Sequence, residues 1–280
     1  WQSDSCGGRL YYGTWHMCML CRQENGRGWG HLATENLVDY VSYADPHEPM
    51  GGTGSVMVLP DGSGRIGAWA RPTIPRHAAA SVAADGERIF AAFLNNNAIW
   101  LTCLDNEGKT IWLKKVCDFH SKFGFGASPL IYENNVIVAT DNQGGGFLTA
   151  YERRSGKVAW NVERQATPSY SSPTVATVAG RRQLLLSGAD KISGYDPGTG
   201  KLLWSGRGGS VQTVNTMSFG GKHVFASGGY PTKETLCFDA SGAGKLVWRD
   251  KGDIANVPSM IFYEGFLYYV SVGGIAHCRQ

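Results

Sequence analysis

Charge is scarce in this chain: Asp, Glu, Lys and Arg make up 18% of its 280 residues, and the formal net charge of +3 is spread along it without a basic run. The electrostatic footprint of a nucleic-acid-binding surface is therefore missing. No window of about 18 apolar residues exists, so no helix spans a bilayer. Nor does a charged-then-apolar leader precede Trp1, so any signal peptide is expected to have been removed or left off. Cysteine is sparse as well. The seven residues at 6, 18, 21, 103, 117, 237 and 278 are an odd number in a chain of this size, and no two are adjacent. That is not the pattern of a disulfide-built scaffold, and at least one thiol has no partner within the chain.

What is present is 42% hydrophobic and 11% aromatic residues with 38 glycines, enough apolar surface for a core and many tight turns. The balance favours sheet over long helices. Residues 1–50 carry no sustained period of 2 or 3.6 and read as an irregular lead-in of loops and short strands. Within it Thr34 to Tyr43 is a weak short-helix pattern with Thr34 as N-cap.

From residue 51 a rhythm begins. Trp69, Trp112, Trp160, Trp204 and Trp248 follow one another at spacings of 43, 48, 44 and 44 residues. Before the last four stands the same phrase, most regular at Tyr195-Asp196-Pro197-Gly198-Thr199-Gly200-Lys201-Leu202-Leu203-Trp204. Asp bonds its own backbone, Pro presets φ and Gly accepts positive φ, so the phrase is strand, tight turn, strand. A second strand-turn-strand phrase lies upstream in each repeat, as at Ser128-Pro129-Leu130-Ile131-Tyr132 into Val136-Ile137-Val138. Four short strands per repeat, without a helix, is the pattern of a β-propeller blade. Blades are expected near 77–112, 125–160, 170–204 and 214–248, with a partial one at 256–280. Residues 51–280 thus form an all-β propeller of four-stranded antiparallel blades. Pairing of residues 51–69 with the last blade gives a ring of five blades, or six if residues 1–50 add strands, and the alternative is a fragment of a seven- or eight-bladed ring. The indole is expected to pack on the neighbouring blade, its N–H on a backbone carbonyl, with Cys103, Ala150, Gly194 and Cys237 leaving it room.

These residues, Ala150-Tyr151-Glu152 through Gly156-Lys157-Val158-Ala159-Trp160 and the sister copies, resemble the tryptophan-docking repeat of the PQQ-like β-propellers. The Ser-Pro pairs at 128–129 and 172–173 are similar to that family too. The resemblance implies a propeller outside the cytoplasm, periplasmic or extracellular. It leaves two functions open: a non-catalytic scaffold like the outer-membrane-assembly lipoproteins, or a fragment or degenerate member of the quinoprotein dehydrogenases, which use PQQ and calcium to oxidise alcohols or sugars. Those enzymes carry adjacent cysteines beside the cofactor and a Glu, Asn and Asp set around calcium. This chain has no adjacent cysteines and offers no matching positions for the calcium set, so no cofactor and no catalytic residue are expected.

Two constellations remain. His16, Cys18 and Cys21 include Cys-x-x-Cys, which Cys6 or His31 could complete as a zinc site, although no second paired motif supports it. The glycine runs at 144–146 and 206–209 lack a following Lys-Ser/Thr and read as hairpin turns. A binding site is better sought where connectors from every blade gather at the mouth of a central channel. His77, Phe125, Tyr170, Asn215 and Asn256 stand there, suited to a protein, peptide or glycan.

Overall fold

The structure is a computed structural model that describes residues 81–280 apart from 253, 257 and 272, and the backbone of six strands before residue 81. Those six are β1 (Ser5–Tyr11), β2 (Thr14–Gln23), β3 (Gly26–Thr34), β4 (Val41–Tyr43), β5 (Gly54–Val58) and β6 (Gly64–Ala68). β1 to β4 form one four-stranded sheet in chain order, more regular than the expected lead-in, and Val41–Tyr43 is strand where a helix end was expected. Trp69 and His77 lie outside the described residues.

Four complete blades follow. The first is β7 (Ala83–Ala84), β8 (Ile89–Asn95), β9 (Ala98–Leu104) and β10 (Thr110–Asp118); the second is β11 (Leu130–Tyr132), β12 (Asn135–Ala139), β13 (Gly146–Glu152) and β14 (Val158–Arg164). The third holds β15 (Thr174–Val178), β16 (Arg181–Gly188), β17 (Lys191–Tyr195) and β18 (Leu202–Arg207), and the fourth β19 (Ser218–Gly220), β20 (His223–Gly228), β21 (Glu234–Asp239) and β22 (Lys245–Asp250). A three-stranded sheet ends the series: β23 (Ile261–Tyr263), β24 (Phe266–Val270) and β25 (Ala276–Arg279). Every strand is antiparallel to its chain neighbour in the sheet. The expected pairing of residues 51–69 with the last blade is not among the described ladders, in which β5 and β6 pair with each other.

Side-chain pattern explains the layering. Middle strands lie between two neighbouring blades and are apolar on both faces, as in Val136-Ile137-Val138-Ala139 and Leu184-Leu185-Leu186, all buried. Outer strands alternate: along β14 burial rises and falls residue by residue, as for a sheet with one face to water. The backbone opening one blade is clipped to the next. Ser81 N–H donates to Ser128 Oγ (2.8 Å), Ser128 N–H to Ser172 Oγ (2.9 Å) and Thr216 N–H to Ser259 Oγ (3.2 Å).

The indoles sit at the blade junctions. Each is directly opposite a small residue on the adjoining strand: Trp112 opposite Cys103, Trp160 opposite Ala150, Trp204 opposite Gly194 and Trp248 opposite Cys237. The six-membered rings of the first three then lie against the Gly-Lys glycine of the next blade. A Cβ on Gly156 would stand 2.9 Å from Trp112 Cδ2, on Gly200 2.6 Å from Trp160 Cε3, and on Gly244 2.5 Å from Trp204 Cε3. These glycines also have φ of +65°, +73° and +80°, so the position requires glycine both for conformation and for clearance. The indole N–H groups are satisfied unequally. Trp112 Nε1 donates to Arg153 O in the next blade at 3.0 Å. Trp204 Nε1 donates instead to Gln183 Oε1 (2.6 Å), and Gln183 Nε2 carries the link to Ala240 O (3.2 Å). Trp160 Nε1 is buried with no partner among the described residues.

Gly180 has φ +79° but open space around it, so it isolates the conformational part of this requirement. Gly180→Ala is expected to cost about 1 kcal/mol of unfolding free energy, and Gly200→Ala about 1–3 kcal/mol more because Trp160 must move. Urea unfolding of both variants measures the difference; equal losses would show that the ring contact contributes nothing.

Burial pushes the Cys103 and Cys237 thiols from 9.0 up to about 11. Because the folded value lies above the unfolded one, the stability these thiols contribute is complete below about pH 9 and is lost as pH rises through about 11. Chemical unfolding across that window is expected to show a falling free energy, with a shallower fall in Cys103→Ala/Cys237→Ala; identical profiles would contradict the assignment.

Candidate binding face at the blade connectors

In an up-and-down blade the second turn and the connector to the next blade emerge at the same end. Hydrogen bonds confirm this here: Phe119 N–H donates to Asn97 O, Gln143 N–H to His120 O, and Gln212 N–H to Tyr230 O. One face of the described blades is therefore made of connectors 119–129, 165–173, 208–217 and 251–260 with the turns between them.

The sequence-named residues fall into two groups on this face. Phe125 is 3% exposed and packs edge-on against Phe119 at 5.6 Å, inside the core. Asn215 is 2% exposed; its Nδ2 donates to Ala255 O at 2.6 Å, and its Oδ1 has no partner among the described residues. Tyr170 is half-buried, its hydroxyl paired with Ser121 Oγ at 2.9 Å and its ring edge-on to Phe123 at 6.4 Å. Asn256 is half-buried against Gly229. His16, Cys18 and Cys21 belong to β2, where the side chains lie outside the described residues. Among the described residues no group of three or more His, Cys, Asp or Glu is placed to hold a metal.

Phase along the connector decides which residues reach water. Counting back from the equivalent residues Ser128, Ser172 and Thr216, the preceding positions Ala127, Ser171 and Asn215 are buried, as are Phe125, Ser169 and Thr213 three residues back. The position between them, Gly126, Tyr170 and Val214, is the one with access to solvent. Tyr230, 65% exposed in the turn between β20 and β21, was missed in the sequence because that turn has no counterpart in the repeat phrase. Phe123 is 56% exposed and Val214 39%, and Lys122 Nζ lies 5.3 Å from the Phe123 ring centroid. Contacts run without a break across this face: Phe123 to Tyr170, Tyr170 N–H to Thr213 O beside Val214, Gln212 N–H to Tyr230 O, and Gly229 to Asn256.

Beneath it lies a buried ion pair. Arg164 Nε and Nη2 donate to Asp141 Oδ1 and Oδ2 at 2.8 and 2.9 Å, and Nη1 donates to Tyr195 Oη at 2.6 Å. Burial alone would lower the guanidinium's pKa; the adjacent Asp141 carboxylate and the Tyr195 hydroxyl together outweigh it and raise it above the ordinary arginine value. With Ser169 N–H on Asp141 O, the pair ties the end of β14 to a turn, to the next connector and to the third blade.

Comparison with known proteins agrees with this architecture. BamB from Moraxella catarrhalis superposes with a TM-score of 0.55 at 14% identity, over 95% of this chain and 70% of that one. A quinohemoprotein alcohol dehydrogenase, ADHIIG from Pseudomonas putida HK5, gives 0.52 at 13% identity, over 74% of this chain but only 41% of that one. A chain of the Mitotic Checkpoint Complex gives 0.61 at 12% identity, over 95% and 83%. At such identities these likenesses show the fold. No curated protein sequence matches the chain. A family model described as outer membrane protein assembly factor BamB matches residues 52–279, and with the repeated indole and Gly-Lys junctions inside that span, the chain belongs to this family of PQQ-like β-propellers.

Proposed function

We propose that this protein is a non-catalytic scaffold outside the cytoplasm, binding a protein partner on its connector face as an assembly factor for outer-membrane proteins. The observation that carries the reading is that Phe123, Val214 and Tyr230, from the connectors and a turn of successive blades, stand exposed on one face, with half-buried Tyr170 against Phe123 and the Arg164–Asp141 pair buried at the same end. Exposed aromatic groups are the composition of protein-binding hot spots. Membership of a family described by outer-membrane protein assembly supports the partner class and the periplasmic setting.

The dehydrogenase reading requires residues that fit PQQ and calcium. The chain has no adjacent cysteines, and Asp141, Asp190, Glu234 and Asp250 on the described face are each paired with an arginine rather than gathered as a cation set. No step is routed through that cofactor.

A photo-crosslinking amino acid placed at 123 or 230 in the exported protein is expected to give a discrete adduct with an envelope protein, whereas placement at Glu133 or Glu264, in turns at the opposite end of the blades, gives none. Adducts only from the opposite end would sink the assignment of the face. Dye reduction by purified protein supplied with PQQ, calcium and an alcohol would sink the non-catalytic reading.

A further inference from the structure

We infer that the segment captured by the connector face is acidic and extended, with apolar side chains set between its carboxylates. This rests on the reading of that face as a protein-binding surface and adds the chemistry of what it binds. The argument is one of charge complementarity. Five carboxylates described on the connectors, turns and strand ends of this face are engaged, Asp141 with Arg164, Asp190 with Arg207, Glu234 with Arg249 and Gly209 N–H, Asp250 with Arg279, and Asp118 with Lys115, while Glu163 at the end of β14 is exposed. Three lysines of the face are not engaged. Lys122, Lys233 and Lys251 are exposed and have no carboxylate partner among the described residues.

These three cations flank the exposed apolar residues. Lys122 adjoins Phe123 on the first connector, Lys233 shares the turn of Tyr230, and Lys251 opens the connector that carries Asn256 to Gly229. Apolar groups Phe123, Val214 and Tyr230 thus share the face with three ammonium groups that have no carboxylate partner among the described residues. Desolvating such a surface is favourable when the partner brings carboxylates to the lysines and side chains to the rings. A basic segment would meet like charge, and a purely apolar one would leave the lysines without a counterion.

The test uses the whole chain and fluorescently labelled peptides of about twelve residues alternating Glu with Phe and Leu, the same peptide with Gln for Glu, and the same with Lys for Glu. Binding is read by anisotropy, with vesicles containing phosphatidylglycerol as a separate arm. The Glu peptide is expected to bind about tenfold more tightly than the Gln peptide, and the preference to shrink when salt rises well above physiological strength. K122E/K233E/K251E is expected to abolish the preference while leaving circular dichroism and thermal unfolding unchanged, and F123A to weaken both the Glu and Gln peptides. Equal binding of all three peptides, binding of none, a preference for the Lys peptide, or a preference surviving the triple substitution overturns the inference. Capture of anionic vesicles in place of the Glu peptide also overturns it, assigning the lysines to a lipid surface. If crosslinks from positions 123 and 230 persist while the peptide preference fails, the charge argument falls and the scaffold reading stands; if the crosslinks fail too, both fall.

Discussion

The contact on which the described blades depend is that of an indole ring lying on a glycine of the next blade. A blade is a twisted sheet whose neighbours splay apart toward the outside, and the outer strands would part without something wide and flat between them. Trp112, Trp160 and Trp204 fill that wedge. Burying such a ring removes on the order of 200 Å² from water, worth roughly 5 kcal/mol as an upper bound. The gain is available only if the opposing backbone comes to ring-contact distance, which a Cβ would prevent. The opposite strand must be small for the same reason, and Cys103, Ala150, Gly194 and Cys237 are its four solutions.

This constraint explains why the fold was legible. A junction that needs Trp, a small residue and a left-handed glycine at fixed offsets prints itself once per blade, and the period survives even where the rest of the repeat drifts. The hydrogen-bond partner of the indole was not legible. Trp112 reaches Arg153 O directly, as expected, but Trp204 works through Gln183, a residue on a middle strand 21 positions away whose amide also holds Ala240 O. Nothing in the repeat phrase marks Gln183, since the relay exists only once the third and fourth blades have come together.

The connector face was read less well, for a reason that Phe125 and Asn215 make concrete. Both were picked as mouth residues by their place in a connector, yet alternate residues there turn inward, and these two are in the buried phase. The solvent-facing phase could have been found by alignment to the Ser or Thr that opens each blade, because at Ser128, Ser172 and Ser259 that hydroxyl accepts a hydrogen bond from the preceding blade and so fixes the phase of the residues before it. Tyr170 and Val214 satisfy that rule. Tyr230 lies in a turn that differs from blade to blade, and the sequence alone offered no frame for it.

The two surfaces divide the labour. At the junctions each blade repeats the same answer because the geometry allows few others, so variation there is limited to which small residue or which acceptor is used. On the connector face the buried phase and the Arg164–Asp141 pair already fix the backbone, leaving the outward positions free to carry Gly126, Tyr170 or Val214 without cost to the blade. A propeller can therefore change what it binds while keeping how it closes. In this chain the outward positions carry a ring at Tyr170 and an aliphatic group at Val214, and Lys122, Lys233 and Lys251 stand exposed on the same face.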